Sequence, residues 1–201
     1  MARTDQPLSE IAVANMAATT LDEKHLSSLD EDTPLGRFMA SQFGYARDEL
    51  LRSHPWAFAK TRIVLAPMGD APPFGWTYQY QLPSDCLRLL PLRRWGYHNN
   101  RLVKYEREGN AILTDEGSAL SVIYIKRVLN AAEFDPLFAR ALGERLALLC
   151  AQRITGKSAY VDKAAALYKA ALGEAFLANA LDMGSPEDQN RADILDARLG
   201  G

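Results

Sequence analysis

Three histidines and one cysteine are the residues of this chain best suited to catalysis. His25, His54 and His98 could act as general bases or metal ligands, and Cys86 could act as a nucleophile. None of the histidines has a second histidine at ligand spacing. The sequence contains no nucleophile elbow, no phosphate-binding glycine loop and no zinc-protease motif. We therefore expect no catalytic residues, and we expect the histidines to be structural or exposed.

The two cysteines and one acidic run are the remaining candidates for metal binding. Cys86 and Cys150 lie far apart and outside any CxxC spacing, which favours neither a disulfide framework nor a zinc site. Cys86 follows Ser84-Asp85 and precedes an apolar run, so we expect a buried thiol. The acids at 30–32 lack the glycine and the distal glutamate of a calcium loop. We expect no metal and no cofactor.

A set of basic residues in the middle of the chain is the best candidate for contact with an anionic partner. Its members are Arg88, Arg93, Arg94, Arg101 and Lys104. They alternate with apolar residues, which is typical of a solvated sheet face, and contact with nucleic acid through this basic β face is the alternative. The net charge of −2 excludes a global field that would draw the chain to nucleic acid or to an anionic membrane.

Length and composition are those of an ordinary globular protein. The 201 residues, 48% hydrophobic and 24% charged, predict one compact domain or one domain that carries an insertion. No apolar run approaches the ~20 residues that span a bilayer, and the N-terminus lacks the apolar segment of a signal peptide. We expect synthesis in the cytoplasm and no membrane partner.

Helical periodicity is strongest toward the two ends of the chain. Apolar residues at i, i+3 and i+4 spacing predict helices over 8–21 and 34–53 before the middle, and over 136–155 and 158–183 after it. The second and third helices each begin with a capping residue followed by proline, and a glycine ends the third. Helices therefore frame the middle of the chain.

The last helix has two apolar edges, of which one can pack on the preceding helix. The residues of the second edge are Tyr160, Leu167, Ala171, Leu177 and Leu181. A second apolar edge either adds to the core or forms a surface for a neighbouring subunit. The periodicity leaves both possibilities open.

The middle of the chain alternates apolar and polar residues between short turn signals. This pattern predicts about six strands, over 57–65, 76–82, 86–94, 102–106, 110–114 and 119–128. Short strands at this spacing are typical of a small antiparallel sheet or sandwich. The predicted fold class is α+β. A helical bundle is built from 1–56 and 129–183, with an inserted antiparallel β-sheet or sandwich module at 57–128.

Residues 184–201 form a polar C-terminal tail. Gly184-Ser185-Pro186 ends the last helix. The tail has one weak amphipathic turn, which cannot bury enough apolar surface to stay folded alone. It is either a disordered end or a segment that folds on a partner. The residues that a partner would contact are Arg191, Ile194, Leu195, Arg198 and Leu199.

Five segments in order carry a resemblance to a known family. They are Leu26-Ser27-Ser28-Leu29-Asp30-Glu31, Asp48-Glu49-Leu50-Leu51-Arg52-Ser53-His54-Pro55-Trp56-Ala57-Phe58-Ala59, Tyr80-Gln81-Leu82-Pro83-Ser84-Asp85-Cys86, Ile123-Tyr124-Ile125 and Phe134-Asp135-Pro136-Leu137-Phe138-Ala139-Arg140-Ala141-Leu142. The last segment continues into an alanine- and leucine-rich helix that ends at Thr155-Gly156. Over 8–183 the chain resembles the tail tubular protein A family of short-tailed phages, the head-to-tail connector or adaptor proteins. Ala57 departs from the family, which often has asparagine there. The motif residues are Pro55, Trp56, Phe58, Leu82, Pro83, Asp85, Phe134 and Pro136.

The resemblance implies a structural virion protein located in the tail or neck. About twelve copies would form a dodecamer ring beneath the portal of a DNA-filled head, extend the DNA channel and receive the next tail component. The implied partners are other copies of the chain, the portal protein and the distal tail (nozzle) protein, while DNA passes through the lumen without specific binding. The helical bundle and the tail would dock on the portal, and the β module would face the tail side. The second edge of the last helix and the flank of the β module would contact the neighbouring subunit.

Overall fold

The computed structural model describes residues 7–94 and 101–184. Helices and antiparallel sheets both occur, which confirms the α+β class. The chain divides into two compact units, one comprising Met1–Leu50 with Val128–Gly201 and the other comprising Leu51–Arg127. The second unit is inserted in the sequence of the first. We call them the helical unit and the β unit.

Four helices are described. They are α1 (Glu10–Thr20), α2 (Pro34–Ser53), α3 (Pro136–Thr155) and α4 (Ser158–Asp182). The bounds of α2 and α3 agree with the predicted ones, because the prolines and caps that set them act locally. Asp135 Oδ1 accepts hydrogen bonds from the backbone of Leu137 at 2.8 Å and of Phe138 at 3.0 Å. At the other end of α3, Gly156 adopts φ +65°, the left-handed conformation that favours glycine.

Small side chains let the helices of the helical unit approach closely. Ala14, Ala17 and Ala18 of α1 are fully buried. A Cβ atom on Gly143 of α3 would lie only 2.8 Å from the Cβ of Met16, so α1 crosses α3 where α3 has no side chain. The buried residues of α4 are Ala164, Ala171, Ala175 and Asn179.

Eight short strands are described in the β unit. They are β1 (Lys60–Leu65), β2 (Tyr78–Gln81), β3 (Cys86–Leu89), β4 (Arg93–Arg94), β5 (Arg101–Leu102), β6 (Glu106–Glu108), β7 (Ala111–Thr114) and β8 (Leu120–Lys126). One antiparallel sheet has the order β1-β8-β3, another has the order β2-β7-β6, and β4 pairs with β5. Residues of both three-stranded sheets, among them Tyr80, Ile112 and Val122, share one core, as in a small sandwich.

The strand bounds differ from the prediction at three places. Residues Ala57–Ala59 form a 3-10 turn before β1. The predicted strand over 86–94 is divided into β3 and β4, and the predicted strand over 102–106 is divided between the ends of β5 and β6. Apolar alternation continues through these breaks, so periodicity alone cannot locate them. The predicted turn at 98–100 lies outside the described residues.

Candidate functional site

The histidines that the structure describes occupy local structural positions. His25 is exposed, with its Nε2 atom 2.8 Å from Thr19 Oγ1. The ring of His54 packs edge-on against Trp56, with centroids 5.0 Å apart. Burial lowers the pKa of His54, and the nearby Arg88 guanidinium lowers it further. His98 lies outside the described residues.

Both thiols are buried, as predicted for Cys86. Burial raises the pKa of Cys86, and the opposing charge of Arg107 only reduces that effect. Burial raises the pKa of Cys150 to about 12. A reactive cysteine needs a depressed pKa and solvent access. Both thiols are therefore protonated at neutral pH and act as small apolar side chains.

The acidic run at 30–32 takes part in local hydrogen bonding. Glu31 Oε2 accepts hydrogen bonds of 2.9 Å from both the backbone nitrogen and the hydroxyl of Ser27, and these bonds lower the pKa of Glu31. Asp32 pairs with Arg37 of α2. Within the described ranges, no group of three histidine, cysteine or acidic side chains comes together as a metal site.

The segment Tyr80–Cys86 forms hydrogen bonds to the turns before β7 and β8 and within its own turn before β3. The Tyr80 hydroxyl donates a hydrogen bond to the Ser118 carbonyl at 2.8 Å. Leu82 is buried, and its carbonyl accepts a hydrogen bond from Asn110 Nδ2 at 2.9 Å. The carbonyl of Pro83 accepts a hydrogen bond from the Cys86 nitrogen at 3.1 Å and closes the turn. These motif residues fix a turn and a core.

Aromatic motif residues also pack against one another within their own unit. Trp56 is buried, and the ring centroid of the half-buried Phe58 lies 6.3 Å from that of Trp56. Phe134 and Phe138 pack edge-to-face in the helical unit with centroids 5.2 Å apart, next to Pro136 at the start of α3. The motif residues described so far thus build the scaffold.

One residue of the predicted basic β face, Arg88, is engaged in a hydrogen bond to the backbone. Arg88 Nη1 donates a hydrogen bond to the Ser53 carbonyl at the end of α2, at 3.1 Å. Arg93 and Lys104 are exposed. The backbones of Arg94 and Arg101 pair between β4 and β5, and their side chains lie outside the description. Ser53 and Arg88 both belong to the β unit, so this hydrogen bond lies within that unit.

The predicted second edge of α4 also divides into two parts. Ala171 is 1% exposed and lies in the core of the helical unit. Tyr160 and Leu167 are half-buried, and the Tyr160 hydroxyl donates a hydrogen bond to Asp22 Oδ2 at 2.9 Å. Leu177 and Leu181, one turn apart near the end of α4, are 66% and 74% exposed. This last pair is the most exposed part of the predicted edge. The five tail residues named above lie outside the described residues.

Two surface features of the β unit were not identified from the sequence. Phe74, between β1 and β2, is 86% exposed. A groove of about 320 Å³ lies on one face of the β1-β8-β3 sheet, lined by Arg62, Ile63, Val64, Ser121, Val122 and Ile123. The signals for them were weak. Phe74 lies in a proline- and glycine-rich loop, and Val64 is an aliphatic residue on a strand that alternates imperfectly.

Over the described part of the chain, no helix combines the length and apolar character needed to cross a membrane. Neither the models of known protein families nor the curated proteins with which the chain was compared match it.

Proposed function

We propose that this chain is a structural virion protein, a head-to-tail adaptor that assembles as a ring beneath a portal, extends the DNA channel and attaches the next tail component. The observation that best supports the proposal is the exposed pair Leu177 and Leu181 on α4. Exposed leucines one helical turn apart form an apolar strip suited to a protein partner. The buried residues of α4 are mostly alanines, which pack the helix closely and leave the larger leucines outside.

The motif segments support the same proposal in a second way. They cap α3, close the turn before β3 and fill both cores. Residues with these roles stabilise the fold of each unit. The family resemblance that they carry is therefore a resemblance in scaffold, and the scaffold presents the surfaces used in assembly. The helical unit, including the α4 pair, is the part that we assign to subunit and portal contacts. The β unit is assigned to the tail side.

The test is the native mass of the purified protein, alone and mixed with its cognate portal, by mass photometry. A complex of the portal with about twelve protomers is expected, because a closed ring has a fixed copy number. An unchanged portal mass would overturn the adaptor proposal. Removal of residues 187–201 tests the tail separately, since unchanged portal binding would contradict its docking there.

The alternative, nucleic-acid binding through the basic β face, stays a prediction. Arg88 is engaged with the end of α2, so the residues left for this role are Arg93, Arg94, Arg101 and Lys104. DNA binding that weakens steeply with added salt would support it. Charge reversal at Arg93, Arg94 and Arg101 should then abolish that binding.

A further inference from the structure

The loop between β1 and β2 presents an aromatic side chain to solvent. It comprises residues 66–77, and we call it the Phe74 loop. The side chain of Phe74 is 86% exposed. Aromatic residues are enriched at the centres of protein interfaces, where a single ring can contribute much of the binding energy. An aromatic ring presented in this way is a candidate anchor.

Hydrogen bonds hold both ends of the Phe74 loop. At its start, the Met68 nitrogen donates to the Gln79 carbonyl at 2.8 Å. At its end, the nitrogen and hydroxyl of Thr77 both donate to Asp115 Oδ1, at 3.1 and 2.8 Å. Two consecutive prolines precede Phe74 and restrict the backbone further. A loop already ordered in this way loses little conformational entropy when its tip binds.

The groove on the β1-β8-β3 sheet provides a surface of matching character, and we call it the sheet groove. The strand register pairs Arg62 with Ile123 and Val64 with Ser121, which places these four side chains on one face. The intervening Val122 points to the core and is buried. Val64 is 65% exposed, so the sheet groove has an apolar floor open to solvent.

Charge favours an aromatic occupant for the sheet groove, and the volume of the groove permits one. Arg62 is its single charged lining residue, and within the described ranges its side chain makes no ion pair or hydrogen bond. A guanidinium is attracted to the face of an aromatic ring. The Phe74 loop also carries the exposed Asp70, which is opposite in charge to Arg62. The volume of about 320 Å³ is large enough to admit an aromatic ring.

We propose that Phe74 of one copy of this chain inserts into the sheet groove of a second copy. The ring packs on Val64 and Ile123, and Arg62 faces both the ring and Asp70 of the incoming loop. Phe74 does not fill the groove of its own chain, since it is exposed. The loop and the groove are different surfaces, so the contact is heterologous and each copy can donate one loop and accept another. The inference deepens the proposed function and rests on it for closure into a ring.

The test uses two variants of the full-length chain that each remove one side of the contact. Phe74→Asp removes the aromatic anchor and keeps the groove. Val64→Asp places a charge in the apolar floor of the groove and keeps the anchor. We expect sedimentation velocity, over a concentration series up to the solubility limit, to show self-association of the parent protein that is weakened on the order of tenfold or more in either variant. A mixture of the two variants should form dimers, because one intact anchor meets one intact groove.

Two controls separate this contact from general damage. Phe74→Tyr should retain association, because it keeps the ring. Tyr45→Asp removes another exposed aromatic side chain, in the helical unit, and should leave this contact unchanged. Equal melting temperatures of all variants would show that the fold is intact. Unchanged association of Phe74→Asp, or a mixture without dimers, would overturn the proposal.

A photo-crosslinking amino acid at position 74 provides a second measurement. We expect crosslinks to 62–64 and 121–123 of another copy, identified by mixing isotope-labelled and unlabelled protein. No crosslink between copies, or crosslinks elsewhere, would overturn the inference. Portal binding with about twelve copies but without this crosslink would leave the adaptor proposal standing. The crosslink without portal binding would reject the adaptor proposal and retain the contact.

Discussion

The Tyr124 hydroxyl donates a hydrogen bond of 3.1 Å to Asp85 Oδ1 and so connects the central strand β8 to the turn before β3. The backbone completes the connection, since the Arg127 nitrogen donates to the Asp85 carbonyl at 2.7 Å. Burial raises the pKa of Tyr124 to about 12, and the hydrogen bond to Asp85 adds to the effect. The aspartate of the Tyr80–Cys86 segment therefore sets where β8 lies.

Replacement of Tyr124 by phenylalanine should lower the free energy of unfolding by about 1–2 kcal/mol, because a partly buried hydrogen bond to a charged group is lost. Urea denaturation would measure this change. Combination with Asp85→Ala, which removes the acceptor, in a double-mutant cycle should show positive coupling. Tyr45→Phe, at an exposed position, should have little effect. Additive effects of the Tyr124 and Asp85 variants would contradict the assignment.

The same tyrosine predicts an alkaline limit to stability. The pKa of Tyr124 in the folded protein, about 12, lies above the ordinary value of 10.0. The stabilising contribution is therefore complete below about pH 10 and is lost as the pH rises toward 12. Melting temperatures measured across this range should fall less steeply for Tyr124→Phe than for the parent protein. Parallel curves would show that another group controls the alkaline transition.

Glu144 predicts a pH dependence on the acidic side. Burial raises the pKa of this carboxyl on α3, although the Thr20 hydroxyl donates to Glu144 Oε2 at 3.0 Å. A raised pKa means stability that is present at low pH and lost as the pH rises through the folded-state value. Glu144→Gln should therefore raise the free energy of unfolding at neutral pH by on the order of 1 kcal/mol, because the desolvated charge is removed.

Thr20→Val is the matched variant for this site. It keeps the shape of the side chain but removes the donor, so it should destabilise the protein by about 1–3 kcal/mol at neutral pH. In the Glu144→Gln background, the loss should be smaller. Thermal unfolding from acid to neutral pH would measure both effects. A Glu144→Gln curve with the parent's pH dependence would refute the role given to this carboxyl.

Two helical glycines should respond oppositely to the same substitution. Gly143→Ala should destabilise by about 1–3 kcal/mol, because its Cβ would lie 2.8 Å from Met16 Cβ and 3.2 Å from the Val13 carbonyl oxygen. Gly173→Ala on α4 meets nothing within 4 Å and should stabilise by up to about 1 kcal/mol through helix propensity. Chemical denaturation would measure the sign of the change in the free energy of unfolding for each variant. Equal changes would contradict the close approach of α1 to α3.

A second pair tests whether Arg88 is a structural residue. Arg88→Ala should lower the free energy of unfolding by about 1–2 kcal/mol, because the Ser53 carbonyl at the end of α2 loses a charged donor. Arg93→Ala, at an exposed position, should change it by less than about 0.5 kcal/mol. Urea denaturation compares the two variants. A destabilisation by Arg88→Ala as small as that by Arg93→Ala would contradict the structural role and leave Arg88 a candidate for the basic β face.

The exposed leucines of α4 predict a defect in assembly without a defect in folding. The double substitution Leu177→Asp and Leu181→Asp should leave the melting temperature almost unchanged, since both side chains are exposed. It should weaken assembly with the portal, measured by mass photometry, at least on the order of tenfold. Ala166→Asp places a charge at an exposed site of the same helix and serves as the control. Unimpaired assembly of the double variant would exclude this surface.

Local signals made most of the fold predictable. The bounds of α2 and α3 depend on prolines, caps and a terminal glycine that act within a few residues. The two apolar edges of α4 could not be ranked, because the core there is built from Ala164, Ala171 and Ala175 while larger leucines remain outside. A periodicity that counts apolar residues gives both edges similar weight.

Functional surfaces were harder to predict because they depend on tertiary neighbours. The sequence places Arg88 on a strand with other basic residues, but only the fold brings it to the Ser53 carbonyl. Phe74 would count as an ordinary loop residue without its exposure, and the sheet groove exists only because β1 lies beside β8. The exposure of Phe74 depends on burial, and the sheet groove depends on strand register. Burial and register are tertiary properties that the local sequence does not determine.

The adjacency of β1 and β8 has a consequence for the evolution of the chain. Lys60, at the start of β1, pairs with Ile125 of β8, so the first and last strands of the β unit are neighbours. A segment whose two ends lie side by side can be lost, gained or exchanged as a cassette without separating the ends that remain. Its host helices could therefore accept a different cassette while keeping their own contacts, so that each unit can diversify independently.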